Sequence, residues 1–130
     1  MDGAAWEAWA RKVERAVDME AKGDWKGLFA PRATFADPAN PATDDLRSIS
    51  RQTRAVFPDW TQEITSIRGG DDWAVFEWIG RATYKGAPVE MHGATIVEVD
   101  ADGLVTHWRD YLDRKEPEEQ IRRHFEAQQP

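Results

Sequence analysis

Residues Trp73 to Tyr84 alternate without interruption. Ala74, Phe76, Trp78, Gly80, Ala82 and Tyr84 fall on one side of an extended chain, and Val75, Glu77, Ile79, Arg81 and Thr83 on the other. Successive side chains of extended backbone point to opposite faces, so this pattern specifies a strand with one buried face. A Lys85-Gly86-Ala87-Pro88 turn follows. The return run puts Val89, Met91, Gly93, Thr95, Val97 and Val99 on one face, against Glu90, His92, Ala94, Ile96 and Glu98. Strands of about eleven residues extend roughly 36 Å if straight. A chain of 130 residues is expected to form one domain, residues 1–130, around one core. A sheet that long must therefore curl, and Gly80 and Gly93 are available for bends or bulges.

A DADG turn at 100–103 leads into a third strand, THWRDYLD at 106–113, and residues 61–68 add one more before the set. The first half of the chain is helical instead. Trp6, Trp9, Val13, Ala16 and Val17 recur at three-and-four spacing, one apolar stripe on a helix over 4–22 that Gly23 ends. A helical turn through Trp25, Leu28 and Phe29 stops at Pro31, before a brief strand containing Phe35 and Asp37. DPANPATDD reads as a turn-rich loop. Thr43 is then the expected N-cap of a helix with Asp44 and Asp45 in its first turn, carrying Leu46, Ile49, Thr53, Val56 and Phe57 and closed by Pro58. Pro117, the acids Glu118 and Glu119, and the later Arg122, Arg123 and His124 match the dipole of a last helix. Only Ile121 and Phe125 would anchor it, which predicts a peripheral position.

Helices first and an antiparallel meander afterwards give an α+β order, with helices on the concave face of a curved antiparallel sheet, a cone. Phe76, Trp78, Met91, Thr95, Trp108 and Leu112 then line the concave face. Asp110 shares it, between Trp108 and Leu112. A carboxylate in a mostly apolar cavity is poorly solvated when charged, so its pKa rises and it becomes a usable base near neutral pH. The competing reading is that Asp110 only satisfies a neighbouring donor such as Trp60, Trp108 or a backbone amide.

Charge and composition narrow the partners. With 24 acids against 17 bases the net charge is -7, and no face is dense in Lys or Arg, which argues against nucleic acid or an anionic membrane. No cysteine is present, so disulfides, thiolate nucleophiles and thiolate metal sites are excluded. No basic leader or apolar run long enough to span a membrane is visible, and the protein is expected to be cytoplasmic. His92 and His107 fall on outer strand faces and His124 at a helix end. No His, Asp and Glu spacing matches a metal site, so neither metal nor cofactor is expected. Seven tryptophans give a cavity flat, rigid walls, with Phe35, Phe57 and Trp60 joining the strand residues as ligand contacts. A small hydrophobic or polycyclic molecule suits such walls. Val75, Ile79, Ala94, Ile96 and Tyr111 make the outer sheet face apolar enough to predict a homodimer through it.

FADP at 35–38, FPDW at 57–60, GDDWAVFEW at 70–78 running on to Gly80, MHG at 91–93 and DGLVTHWRDYLD at 102–113 resemble the SnoaL-like polyketide cyclases. That group shares a superfamily with ketosteroid isomerase, limonene epoxide hydrolase, scytalone dehydratase and nuclear transport factor 2. The similarity covers roughly residues 6–125. It implies the cone fold, dimers and small-molecule chemistry without a cofactor. Asp110 resembles the final-strand aspartate that serves cyclases as acid/base in aldol closure, and Asp37 resembles the general base of ketosteroid isomerase. The oxyanion donors of that isomerase are missing, because their positions fall near Ala16 and Thr95. Epoxide hydrolysis is disfavoured in turn: the positions of its arginine and second aspartate hold Trp78 and Gly80.

The expectation is a cyclase or isomerase moving a proton on a hydrophobic carbonyl compound, with Asp110 and Asp37 as its acids. A non-catalytic module using the same cavity for a small molecule, or the same sheet for a protein partner, is the alternative.

Overall fold

Helix and strand boundaries follow the local patterning closely in the second half of the chain and less so in the first. The structure, a computed structural model, describes residues 1–19 and 27–129. The elements run α1 (Gly3–Met19), β1 (Phe29–Asp37), β2 (Asn40–Thr43), α2 (Leu46–Val56), β3 (Thr61–Gly69), β4 (Trp73–Tyr84), β5 (Ala87–Val99), β6 (Val105–Leu112) and α3 (Lys115–Glu126). The expected helix end at Gly23 and the turn at Trp25 lie outside the described residues.

The six strands form one curved, unclosed sheet in the order β2-β1-β6-β5-β4-β3. β3 to β6 are the expected antiparallel meander. The sheet is mixed rather than antiparallel, however, because β6 finishes beside β1 and runs parallel to it, with Phe35 level with Trp108 and Ala36 with Arg109. The meander starts at the far edge and works back to end beside the first strand.

Several local expectations are corrected by the backbone. Phe29 opens β1 instead of ending a helical turn, and Pro31 lies inside this strand where β1 and β6 lose register between Phe29 and Thr34. Proline has no N–H to give a ladder, so the break is where it costs least. The DPANPATDD segment is a hairpin: β2 pairs back on β1 with Asp37 opposite Asn40. The N-cap of α2 is Asp45, which accepts from Ser48 N, while Thr43 Oγ1 accepts from Asp45 N. Tyr84 pairs with Ala87, so the β4–β5 turn is only Lys85-Gly86, both at positive φ (48° and 83°), the twist that suits a two-residue hairpin.

Gly80 and Gly93 are not bulges, since β4 and β5 pair without a register shift from Trp73 to Tyr84. They make room for rings. A Cβ at Gly80 would lie 1.9 Å from the Trp60 indole, and one at Gly93 would lie 2.2 Å from that of Trp78.

Trp6, Trp9, Ala10 and Val13 of α1 are buried against the concave face, with Trp9 edge-on to Phe76 and tilted against Trp108. Side chains also finish the sheet edges, where unpaired backbone would otherwise be exposed. At the edge strand β3, Glu14 Oε2 accepts from Ile64 N at 2.8 Å and Arg11 donates to Ile64 O at 3.1 Å. Beyond the end of β6, Gln120 of α3 both accepts from Glu90 N (2.7 Å) and donates to Glu90 O (2.8 Å), and Glu116 accepts from His92 N at 2.9 Å. α3 is therefore docked along β5, with Pro117 buried, rather than peripheral.

Candidate active site

Inside the cone a cavity of about 650 Å³ opens between the sheet and the helices, a size typical of small-molecule sites. Trp78 and Tyr84 from β4, Met91 from β5, and Trp108, Asp110 and Leu112 from β6 form its floor. Phe35 and Asp37 enter from β1, with Phe57 and Trp60 from the segment after α2. Val13 and Ala16 of α1 also line it. Leu46, Ile49, Thr53 and Val56 roof it, and none of the residues of α2 is buried. The residues that the sequence places on this helix thus face the cavity instead of packed core.

Two of the expected contacts are set back from this surface. Phe76 and Thr95 are both completely buried and do not line the cavity. Phe76 packs edge-on to Trp9 and Trp108 behind the wall. Thr95 bonds to two residues that do line it. Trp78, directly opposite Gly93, lays its indole across β5, and its Nε1 donates to Thr95 Oγ1 at 2.8 Å. Thr95, paired with Asp110 across β5 and β6, donates to Asp110 Oδ1 at 2.5 Å. Trp108 Nε1 donates to the same oxygen at 2.7 Å. No hydrogen bond to Asp110 Oδ2 is formed among the described residues.

Asp110 is half-buried and lines the cavity. Burial pushes its carboxyl up from the usual 3.8 to about 6, against the downward pull of the Thr95 and Trp108 hydrogen bonds, and the charge of Asp37 adds to the rise. The parallel register explains that coupling. One step on from the Ala36–Arg109 pair, Asp37 and Asp110 are level on neighbouring strands and face the same side. Asp37 is held differently: its Oδ1 accepts from Ala39 N (2.8 Å), Asn40 N (2.7 Å) and Asn40 Nδ2 (3.0 Å), the side-chain turn that reverses β1 into β2.

The histidines are elsewhere. His92 is exposed and pairs with Glu116 at 2.8 Å, His107 is exposed beside Glu98 at 3.2 Å, and His124 contacts Gln128. Among the described residues no cluster of His, Asp and Glu could hold a metal ion, and no helix is long and apolar enough to cross a membrane. Sequence reasoning missed Arg114, Pro117, Glu118 and Ile121 of the α3 segment as cavity wall. Pro117 and Ile121 stand four apart on one helix face, the signal that would have found them.

A curved, unclosed sheet with helices over its concave face is the ketosteroid isomerase-like fold. Solved structures agree. IdmH from Streptomyces antibioticus, a candidate polyketide cyclase, superposes with a TM-score of 0.77 at 18% identity, over 88% of this chain and 96% of that one. An epoxide hydrolase of M. tuberculosis similar to limonene epoxide hydrolase gives 0.68 at 17% identity over 92% of each chain. A Catenulispora acidiphila protein with a ketosteroid isomerase-like fold, in complex with trimethylamine, gives 0.69 at 19% identity, covering 92% of this chain and 93% of that one. Likeness at these identities shows the fold. No curated protein matches the chain significantly. A profile of the SnoaL-like domain matches residues 7–108, and the chain belongs to that family. Asp110 stands two residues past the matched segment.

Proposed function

We propose that this protein is a proton-transfer enzyme that cyclises or isomerises a hydrophobic carbonyl compound without a cofactor, with Asp110 as acid/base. One observation carries the reading: the Asp110 carboxyl is desolvated beside empty apolar volume, while its hydrogen bonds occupy Oδ1 and leave Oδ2 for a ligand. A base tuned near neutral pH removes a proton from carbon and, once protonated, returns it elsewhere on the same molecule. Asp37 is the second carboxylate. With its Oδ1 held by the turn, it acts chiefly through its charge, which favours the protonated form of Asp110. Phe35, Phe57, Trp60, Trp78, Met91, Trp108 and Leu112 hold the substrate by apolar contact. Epoxide opening has less support, since the Trp78 N–H is spent on Thr95 and Gly80 offers no side chain.

The test is hydrogen–deuterium exchange at carbon in D2O, followed by NMR with a panel of aromatic 1,3-dicarbonyl compounds. The wild type catalyses exchange and Asp110→Asn does not, although it still binds the same compounds. Binding without exchange by the wild type would leave a non-catalytic carrier. Trp73, Val75 and Tyr111 are exposed on the outer sheet face, which supports a homodimer through that face. Sedimentation of Val75→Glu against wild type tests it, a monomeric wild type being the contrary result.

A further inference from the structure

We propose that Thr95 is a positioning residue: a one-way chain of hydrogen bonds from Trp78 through Thr95 to Asp110 sends the exchangeable proton of the acid to Oδ2. The inference rests on the acid/base reading of Asp110 and adds which oxygen does the work and what selects it.

The direction of the chain follows from the chemistry of its members. An indole N–H only donates, a hydroxyl has one proton and two lone pairs, and an ionised carboxylate only accepts. Trp78 Nε1 at 2.8 Å occupies a lone pair of Thr95 Oγ1. The single hydroxyl proton is therefore committed to Asp110 Oδ1, 2.5 Å away. Thr95 cannot reverse, because its proton would then meet that of the indole. The Trp78 ring is also packed between Gly93, where a Cβ would lie 2.2 Å from it, and the indole of Trp60.

Oδ1 also takes the Trp108 N–H at 2.7 Å. A proton placed on Oδ1 would compete with two donors for the same lone pairs, and one buried donor would lose its only acceptor, a full desolvation loss. Protonation at Oδ2 leaves all three bonds intact. Thr95 is completely buried and absent from the cavity wall, so it acts on a ligand only through Asp110. The charged groups that share the cavity with this carboxyl are Asp37 from β1, Arg114 after β6 and Glu118 from α3, and α2 contributes none. None of them hydrogen-bonds Asp110 among the described residues, so the choice of oxygen is left to the chain.

The experiment follows the Asp110 carboxyl by 13C NMR and the Trp108 indole N–H by 15N NMR across pH, in wild type, Thr95→Val and Thr95→Ser. In the wild type the carboxyl titrates near 6, and the Trp108 signal keeps its hydrogen-bonded position on both sides of the midpoint. Thr95→Val raises the midpoint by about one pH unit and makes the Trp108 signal move with it, and Thr95→Ser restores both. Should Thr95→Val fail to fold with the Trp78 N–H orphaned, the double variant Trp78→Phe/Thr95→Val gives the same readout. A wild-type Trp108 signal that falls to the free-indole position as Asp110 protonates overturns the inference. So does a Thr95→Val protein with unchanged midpoint and signal. An Asp110 titrating like an ordinary carboxylate in the wild type overturns the acid/base reading instead, and a Trp108 signal steady through that titration would still support the directional chain.

Discussion

Trp78 stands directly opposite Gly93 across β4 and β5, close enough that a Cβ at residue 93 would lie 2.2 Å from the indole. The missing side chain is what lets the ring lie across β5 and reach Thr95. Gly93→Ala should displace the indole, break the bond to Thr95 and cost about 1–3 kcal/mol, as overpacking does. Urea denaturation measures the cost. Near-UV circular dichroism should show the displaced tryptophan, and an unchanged spectrum with unchanged stability would mean the ring does not rest on the glycine.

Asp110→Asn separates stability from chemistry. The Asp110 carboxyl is raised to about 6 from 3.8, so the native state binds this proton more tightly than the unfolded chain does. Its contribution to stability is then greatest below pH 3.8 and is lost as pH rises through 6. The loss is on the order of 3 kcal/mol above neutral pH. Asparagine is neutral and keeps an acceptor at the position of Oδ1 for Thr95 and Trp108. Asp110→Asn should thus be more stable than wild type at pH 8, with the gap closing near pH 4, as paired denaturation curves would record. Proton-transfer activity should fall by about 100-fold or more, and in the wild type it should rise with pH around a midpoint near 6.

Helix α2 and the core between α1 and the sheet predict opposite sensitivities. Ile49 faces the cavity from a helix with no buried residue, whereas Phe76 is completely enclosed. Truncating Phe76 to alanine should cost about 3–5 kcal/mol, and Ile49→Ala less than about 1 kcal/mol, because few atoms pack on it to be lost. Binding of an aromatic ligand should show the reverse order of harm per unit of stability lost. Urea melts and a fluorescence titration check both halves, and equal destabilisation by the two changes would show that α2 packs on protein.

The strands from Thr61 onward were legible because alternation with one buried face leaves little choice of structure, and it placed Asp110 among apolar neighbours. β2 was hidden: Asn40 and Pro41 carry turn chemistry, and the strand exists only because the Asp37 turn folds it back onto β1. The parallel β1–β6 pairing depends on where a meander ends, which no local pattern encodes. Thr95 illustrates the same limit more finely. Alternation put it on the concave face, but its role follows from cross-strand register with Asp110 and from the ring over Gly93, both tertiary facts. Leu46, Ile49 and Val56 were legible as helical, yet a helix face turned to a cavity looks the same in sequence as one turned to a core.

The contact between α3 and β5 decides whether the cavity wall is complete. Past the end of β6, the backbone of Glu90 is satisfied by Gln120 at 2.7 and 2.8 Å, and the amide of His92 by Glu116 at 2.9 Å. Pro117 and Ile121, on the same helix, line the cavity. Gln120→Ala removes both partners of Glu90, which water can replace because the site is exposed, so the stability cost should be only about 1 kcal/mol. The local effect should be larger than the global one. Amide hydrogen exchange at Glu90 and His92 should quicken well before that of Val97, and apolar ligands should bind more weakly as the α3 wall loosens. If those two amides stay as protected as the β5 centre, the helix is held by its apolar contacts alone.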